Sequence, residues 1–182
     1  YFRYGAVGCG KSLALLSVAH AYQQQGKIVR LVKPAIDIRF GEDIVRSRAG
    51  LEKKVDLIIG DDDEVDLTIF GDAHCILVDE AQFLSPEVID QLRHISTELD
   101  VPVICYGLRG DFRTKLFPGS QRLMELADAI EEIKTTCYYC NSKAMFNLKL
   151  IDGVPTTAGP TIDLGTEEKY LPTCARCYSH KI

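Results

Sequence analysis

A glycine-rich segment near the start of the chain has the residue types that hold phosphate groups. It consists of a glycine, four further residues and then Gly-Lys-Ser, and the pattern after it predicts a helix over 13–25. In such a loop, backbone N–H groups surround the phosphates at a helix N-terminus, Lys11 contacts the β and γ oxygens, and the Ser12 hydroxyl binds Mg²⁺. The segment therefore predicts a site for a nucleoside triphosphate. Its predicted members are Gly5, Ala6, Val7, Gly8, Cys9, Gly10, Lys11 and Ser12.

Two adjacent carboxylates follow a short apolar run that predicts a strand over 75–78. Asp79 and Glu80 stand at the carboxyl end of this strand, where open parallel sheets bind their ligands. Asp79 is placed to hold Mg²⁺ through water. Glu80, one residue further along an extended chain, is placed toward a neighbouring pocket as a general base. Without the glycine-rich loop, two surface acids at a strand end would be the simpler interpretation.

Four of the seven cysteines form two C-x2-C pairs that are separated by 33 residues. Four thiolates in this arrangement suit tetrahedral Zn²⁺, and a site with no open position is structural. The alternatives are a redox pair or unligated cysteines in the core. The predicted zinc ligands are Cys137, Cys140, Cys174 and Cys177.

A loop that is rich in aromatic and charged residues is predicted between Gly107 and Gly119, after another apolar strand. Its position at the carboxyl end of a strand favours a pocket wall. The alternative is a surface loop whose phenylalanines are buried in the core. The residues in question are Leu108, Arg109, Asp111, Phe112, Arg113, Lys115 and Phe117.

The elements that position these residues alternate between strand and helix. Ser85 and Pro86 suit the start of a helix that runs to about residue 98, and a hairpin is predicted near 144–154. This alternation predicts an α/β fold, in which helices flank a parallel sheet, with a small C-terminal zinc-binding subdomain. We assign residues 1–135 to the nucleotide-binding domain and 136–182 to the subdomain. The remaining strands are predicted over 1–4, 28–32, 55–59, 101–105 and 130–134.

Length and charge limit the possible partners. The 182 residues suit one well-buried domain with a small appendage. With 21 basic and 26 acidic residues the net charge is −5, and four thiolates with Zn²⁺ add −2, which gives about −7. We therefore expect no nucleic-acid partner. Because no apolar run approaches about 18 residues and no signal peptide is visible, we expect a cytoplasmic protein with no membrane partner. The sequence begins at Tyr1, so we also expect a few residues before it.

The motifs, taken in this order, resemble the type II thymidine kinases over nearly the whole chain. The most specific matches are the Asp-Glu-x-Gln-Phe run at 79–83 and Lys169-Tyr170 before the last cysteine pair. The resemblance implies ATP-dependent phosphorylation of the 5′-hydroxyl of thymidine, with Glu80 as the base and Lys11 as the phosphate clamp. It also implies a homotetramer that is inhibited by the end product dTTP.

The resemblance further assigns residues to the two substrates. Asp37 and Arg39 match a pair near the phosphates, and Arg39 or Arg109 would stabilise the developing charge. A lasso loop would fold over the base. Val7 stands where the family usually has Met beside the thymine, and a pocket for one methyl group discriminates by only about 1–3 kcal/mol, so deoxyuridine is expected to be accepted too. The residues matched to the nucleotide and nucleoside are Gln82, Phe83, Leu108, Phe112, Phe117, Tyr170 and, in the lasso, Thr161, Ile162, Asp163, Leu164 and Gly165.

Two other functions fit parts of the pattern. A P-loop ATPase with a zinc-ribbon docking module would also place Asp-Glu after a strand, to activate water. A noncatalytic nucleotide-binding subunit would have the same fold without the catalytic activity. The negative charge and the aromatic residues favour the kinase over the ATPase, and the intact Lys11, Ser12, Asp79 and Glu80 favour it over the noncatalytic subunit.

Overall fold

The structure is a computed structural model that describes residues 1–39, 41, 43–162 and 169–182. Within these residues, no helix combines the length and the apolar composition that a bilayer span requires. The strands are β1 Phe2–Tyr4, β2 Val29–Pro34, β3 Ile44–Arg46, β4 Glu52–Lys54, β5 Leu57–Ile59, β6 Cys75–Val78, β7 Val103–Gly107, β8 Ile130–Glu132, β9 Phe146–Ile151, β10 Val154–Thr156 and β11 Tyr170–Thr173. The α-helices are α1 Lys11–Gln24, α2 Pro86–Leu99, α3 Pro118–Leu126 and α4 Ala175–Lys181.

The main sheet has six strands in the order β5-β2-β6-β7-β1-β8, and each neighbouring pair is parallel. Side chains alternate between its two faces, as the period of a strand requires. Leu31 and Leu77 join the apolar cluster under α1, whereas Val32, Ile76 and Val78 join the cluster under α2 and α3. The predicted α/β fold with helices flanking a parallel sheet is confirmed.

Most element boundaries differ from the sequence prediction by one to three residues, and two of these differences have local reasons. Helix α1 begins at Lys11, two residues before the predicted start, because Gly10 in the left-handed region (φ 89°) ends the loop directly before it. Strand β7 begins at Val103 and not at Val101. Pro102 has no N–H for the ladder, so pairing with a neighbouring strand starts after it.

The connection between β2 and β5, interpreted from the sequence as a loop, contains the antiparallel pair β3–β4. Both strands have only three residues. Two of the three are apolar in β3 and all three are charged in β4, so neither strand shows the alternation over four or more residues that indicates a strand. Arg46 and Glu52 face each other in the pair and form an ion pair at 2.5 Å. Tertiary contacts, and not sequence periodicity, determine this element.

The C-terminal part forms a separate three-stranded antiparallel sheet in the order β10-β9-β11, followed by α4. The predicted hairpin corresponds to β9 and β10, while the pairing of β11 with β9 was not predicted. This pairing aligns Thr173 with Phe146 and so brings the two ends of the region together.

Candidate phosphate and nucleoside site

The glycine-rich loop connects β1 to α1 at the carboxyl edge of the main sheet. Gly8 and Gly10 both have positive φ, 72° and 89°, a conformation that side-chain-bearing residues rarely adopt. No side chain caps α1, so its first N–H groups remain available to an anion. The Lys11 ammonium folds back over the loop and donates to the Ala6 carbonyl at 3.2 Å. The loop thus has the form of a phosphate site at a helix N-terminus.

Asp79 lies at the end of β6, opposite the first turn of α1. The Ser12 hydroxyl donates to Asp79 Oδ2 at 3.0 Å, so the two predicted Mg²⁺ ligands are adjacent. Burial, together with the neighbouring carboxylate of Glu80, raises the pKa of Asp79 to about 7. Hydroxyl and carboxylate oxygens are ligands that Mg²⁺ prefers, and a divalent cation here would keep Asp79 ionised. The donor set therefore fits Mg²⁺.

Glu80 has a strained backbone, with φ 50° in the left-handed region. Its Oε1 pairs with Arg39 at 2.6 Å, and its Oε2 accepts a hydrogen bond from Gln82 Nε2 at 2.6 Å. Burial raises the pKa of Glu80, but the positive charges of Arg39 and Lys11 outweigh this effect and lower it to about 2. Glu80 is consequently ionised at neutral pH and able to accept a proton.

Arg39 is shared between two carboxylates. Besides Glu80 it contacts Asp37, with Nε 2.7 Å from Oδ1. Burial lowers the pKa of Arg39, and the two carboxylates raise it by more. Behind Asp37 lies the ammonium of Lys33, 3.7 Å from Oδ2, in a side chain that is 1% exposed. Lys33 also donates to the carbonyls of Gly41 and Ile44, which fixes the loop that carries Arg39.

A cavity of about 420 Å³ joins the phosphate loop to an aromatic wall. Phe83 and Phe117 meet edge to face, with ring centroids 5.7 Å apart. Phe112 and Tyr170 are tilted toward each other at 6.3 Å. The predicted site residues that line the cavity are Val7, Gly8, Gly10, Lys11, Ser12, Asp37, Arg39, Asp79, Glu80, Phe83, Leu108, Asp111, Phe112, Phe117, Thr161 and Tyr170.

Other predicted site residues lie elsewhere. Gln82 is behind Glu80, where its Oε1 accepts from the Leu108 N–H at 2.9 Å. Arg109 lies over the Tyr4 ring at 5.8 Å and does not line the cavity. The lasso residues Asp163, Leu164 and Gly165 are outside the described residues. The remaining predicted residues that do not line the cavity are Gly5, Ala6, Cys9, Arg113, Lys115 and Ile162.

The two cysteine pairs converge at the ends of the C-terminal sheet. The four sulfurs lie within 4.8 Å of one another, and Cys140 is 3.6 Å from Cys174 and 3.7 Å from Cys177. Four sulfurs at about 2.3 Å from a tetrahedral zinc would be about 3.8 Å apart, which matches this spacing. Hydrogen bonding from the Ser142 amide lowers the pKa of Cys140 to about 6 and favours its thiolate. The cluster can bind zinc.

Two residues of the site, Asn147 and Lys33, were not assigned a role from the sequence, and Arg113 was predicted only as part of a loop that forms a pocket wall. Asn147 is buried in β9 and lines the cavity. Arg113 reaches the segment before the lasso and donates to Thr157, Gly159 and Thr161. Lys33 supports Asp37. For Asn147 and Lys33, a polar residue within a mostly apolar strand was the available signal. For Arg113 the sequence indicated only the loop and not the contact, because its acceptors lie more than 40 positions away.

The parallel sheet, the phosphate loop and the carboxylates at strand ends define a P-loop nucleotide-binding protein. The sequence model of the thymidine kinase family matches residues 1–178, and the chain belongs to this family.

Individual relatives agree with this assignment. The thymidine kinase of Lactococcus lactis is 41% identical over 98% of this chain and 95% of its own length. That of Streptococcus gordonii is 42% identical over 98% of this chain and 94% of its own length. Among solved structures, AMPPCP-bound DnaA from Aquifex aeolicus is similar at 17% identity, with a TM-score of 0.44 over 72% of this chain and 39% of that one. At that level of similarity nothing about this chain follows from it.

Proposed function

We propose that this chain transfers the γ-phosphoryl group of ATP to the 5′-hydroxyl of thymidine and so supplies thymidine monophosphate for DNA synthesis. The observation that carries the proposal is the position of Glu80. Its carboxylate lines one cavity whose walls include the phosphate loop and four aromatic side chains. A nucleoside stacked on the aromatic wall would bring its sugar hydroxyl to this carboxylate, next to the phosphates.

The phosphate groups are held by the loop amides and by Lys11, which lines the same cavity. Ser12 and Asp79 would hold Mg²⁺, which neutralises charge on the β and γ phosphates when it is bound. Phosphoryl transfer passes through a loose transition state, so positioning and charge stabilisation make up most of the catalysis.

In the transfer, the 5′-oxygen forms a bond to the γ-phosphorus while the bond to the β,γ-bridging oxygen breaks and ADP leaves. The hydroxyl proton passes to Glu80. Arg39 pairs with Glu80 and Asp37 in the ligand-free protein. When Arg39 turns to the transferring phosphoryl group, Glu80 loses a positive neighbour and its proton affinity rises. Arg39 thus stabilises the charge of the transferring phosphoryl group and also controls the proton affinity of Glu80.

The nucleoside is selected by the aromatic wall and by the lasso over 161–165. Thr161 lines the cavity, and Arg113 holds the segment that leads to it. Because one methyl group provides little discrimination, deoxyuridine is accepted as well.

The rest of the proposal concerns organisation. Residues 1–135 bind the nucleotide and 136–182 form a zinc-stabilised subdomain. The protein is a homotetramer that dTTP inhibits; membership of the family supports both statements. A cytoplasmic location is supported by the seven cysteines, none of which forms a disulfide.

The test is transfer of label from γ-labelled ATP to a panel of nucleosides. Thymidine and deoxyuridine should accept the label, whereas 5′-deoxythymidine, which lacks only the attacking oxygen, should bind without accepting it. A P-loop ATPase would instead release labelled phosphate at the same rate with or without thymidine. That result would reject the kinase.

A further inference from the structure

We propose that Asn147 is a positioning residue that fixes the phosphate loop against the nucleoside-side loop, so that the C-terminal sheet sets the geometry of transfer. The inference rests on the proposed kinase function. Asn147 Oδ1 accepts from the Val7 N–H at 2.8 Å, and Asn147 Nδ2 donates to the Gly110 carbonyl at 2.9 Å. One side chain therefore ties three segments together.

The two hydrogen bonds determine the orientation of the carboxamide. A backbone N–H requires the oxygen and a backbone carbonyl requires the nitrogen, so no flipped arrangement satisfies both. Asn147 is 5% exposed, and water does not readily replace either partner. Asparagine is the side chain that supplies one donor and one acceptor at this length.

Both partners belong to substrate-binding segments. Val7 precedes Gly8, whose φ of 72° turns the phosphate loop, so the orientation of the Val7 peptide affects the amides that follow. Gly110 precedes Asp111 and Phe112, which line the cavity. The Asn147 side chain thus fixes the distance between the loop that holds the phosphates and the loop that supports the base.

The strand that carries Asn147 is itself braced. In β9, Asn147 pairs with Pro172 of β11, two residues before Cys174 of the cysteine cluster. The backbone pairing within the C-terminal sheet therefore holds the strand that carries Asn147.

Asn147→Leu removes both hydrogen bonds and keeps the number and branching of the side-chain heavy atoms, and Asn147→Asp keeps only the acceptor for Val7. Because small errors in the position of reacting groups cost up to about 10²-fold in rate, kcat should fall about 10- to 100-fold in Asn147→Leu. The Kd values of ATP and thymidine should change by less than about 3-fold. Thr173→Val is the matched control, because it removes a buried hydroxyl of the same sheet, bonded to the Phe146 carbonyl, and keeps the backbone pairing of β9 with β11.

Hydrogen exchange of the Val7 amide supplies a readout that does not depend on activity. The Val7 N–H should exchange slowly in the wild type and in Asn147→Asp, and at least about 10-fold faster in Asn147→Leu, with the α1 amides unchanged. If Asn147→Leu does not fold, Asn147→Asp still decides the matter. In Asn147→Asp, kcat should fall because the hydrogen bond to the Gly110 carbonyl is lost, while the Val7 N–H should stay protected from exchange.

Unchanged kcat and unchanged Val7 exchange in a folded Asn147→Leu protein would overturn the proposal. An equal loss of kcat in Thr173→Val would also overturn it, because the effect would then be one of general stability. Failure of the wild type to phosphorylate thymidine would reject the proposed function. The exchange rate of the Val7 N–H would still show whether Asn147 holds the phosphate loop.

Discussion

Arg39 Nη2 lies 2.6 Å from Glu80 Oε1, so the proposed base is paired with a cation before any substrate binds. Burial alone would raise the pKa of Glu80, and the pair reverses this effect and lowers it to about 2. The ligand-free protein thereby keeps a buried carboxylate ionised, as the proposed role of Glu80 as the base requires.

Arg39→Gln should change both the rate and its pH dependence. Removing the cation raises the pKa of Glu80, so the acid limb of kcat/KM should move to higher pH, and turnover at pH 8 should fall about 10²-fold. The profile is measured at saturating Mg²⁺, which keeps Asp79 ionised. Arg39→Lys keeps the charge and should leave the limb close to that of the wild type. An acid limb that does not move in Arg39→Gln would contradict the assigned pair.

Arg113→Lys should weaken thymidine binding selectively. The guanidinium donates to three acceptors over 157–161, and an ammonium cannot reproduce that fork. We expect the KM for thymidine to rise about 10-fold and the KM for ATP to stay within about 2-fold. Arg109→Lys, in the same loop but over the Tyr4 ring, is the control. Equal effects of the two substitutions would show that Arg113 does not hold the lasso.

Freshly purified, reduced protein should contain about one zinc per chain, since four sulfurs at tetrahedral spacing bind one ion. Elemental analysis of Cys174→Ser should give a zinc content well below that of the wild type, together with a lower Tm, because zinc binding is coupled to folding. Cys9→Ser changes a cysteine outside the cluster and should retain the metal. If the wild-type protein contains no zinc, the proposed zinc site is contradicted.

ATP should protect Cys9 from alkylation. Cys9 lies in the phosphate loop, with its sulfur 3.9 Å from the Lys11 ammonium. Burial raises the pKa of Cys75 to about 11 and that of Cys105 to about 12, so at pH 8 only about 0.1% or less of either thiol is in the reactive thiolate form. Mass spectrometry after brief iodoacetamide treatment should therefore find Cys9 labelled, and less so with ATP. Labelling that ATP does not affect would place the nucleotide elsewhere.

The sequence was most informative about features that a few neighbouring residues determine. The phosphate loop, the carboxylates after β6 and the paired cysteines could be located because glycine conformation, strand ends and ligand spacing are local properties. The main sheet followed from the alternation of apolar runs with helical patterns. These features depend on neighbours within a few positions along the chain.

The features that were missed depend on distant contacts. The β3–β4 pair has a weak strand pattern, and β11 becomes a strand only by pairing with β9. The bond between Asn147 and Val7 joins residues 140 positions apart. The acceptors of Arg113 lie 44 to 48 positions away. No local periodicity encodes such partners.

The most direct test of the account is the turnover of Glu80→Gln, which retains the size of the side chain and removes its capacity to accept a proton. General-base catalysis contributes about 10²- to 10⁴-fold, so kcat for thymidine should fall by that factor. The Kd values of ATP and thymidine should stay near those of the wild type, because Lys11, the loop amides and the aromatic wall are untouched. Weakened nucleotide binding that excess Mg²⁺ rescues would instead make Glu80 a metal ligand. Unchanged turnover in Glu80→Gln would contradict the account at its centre.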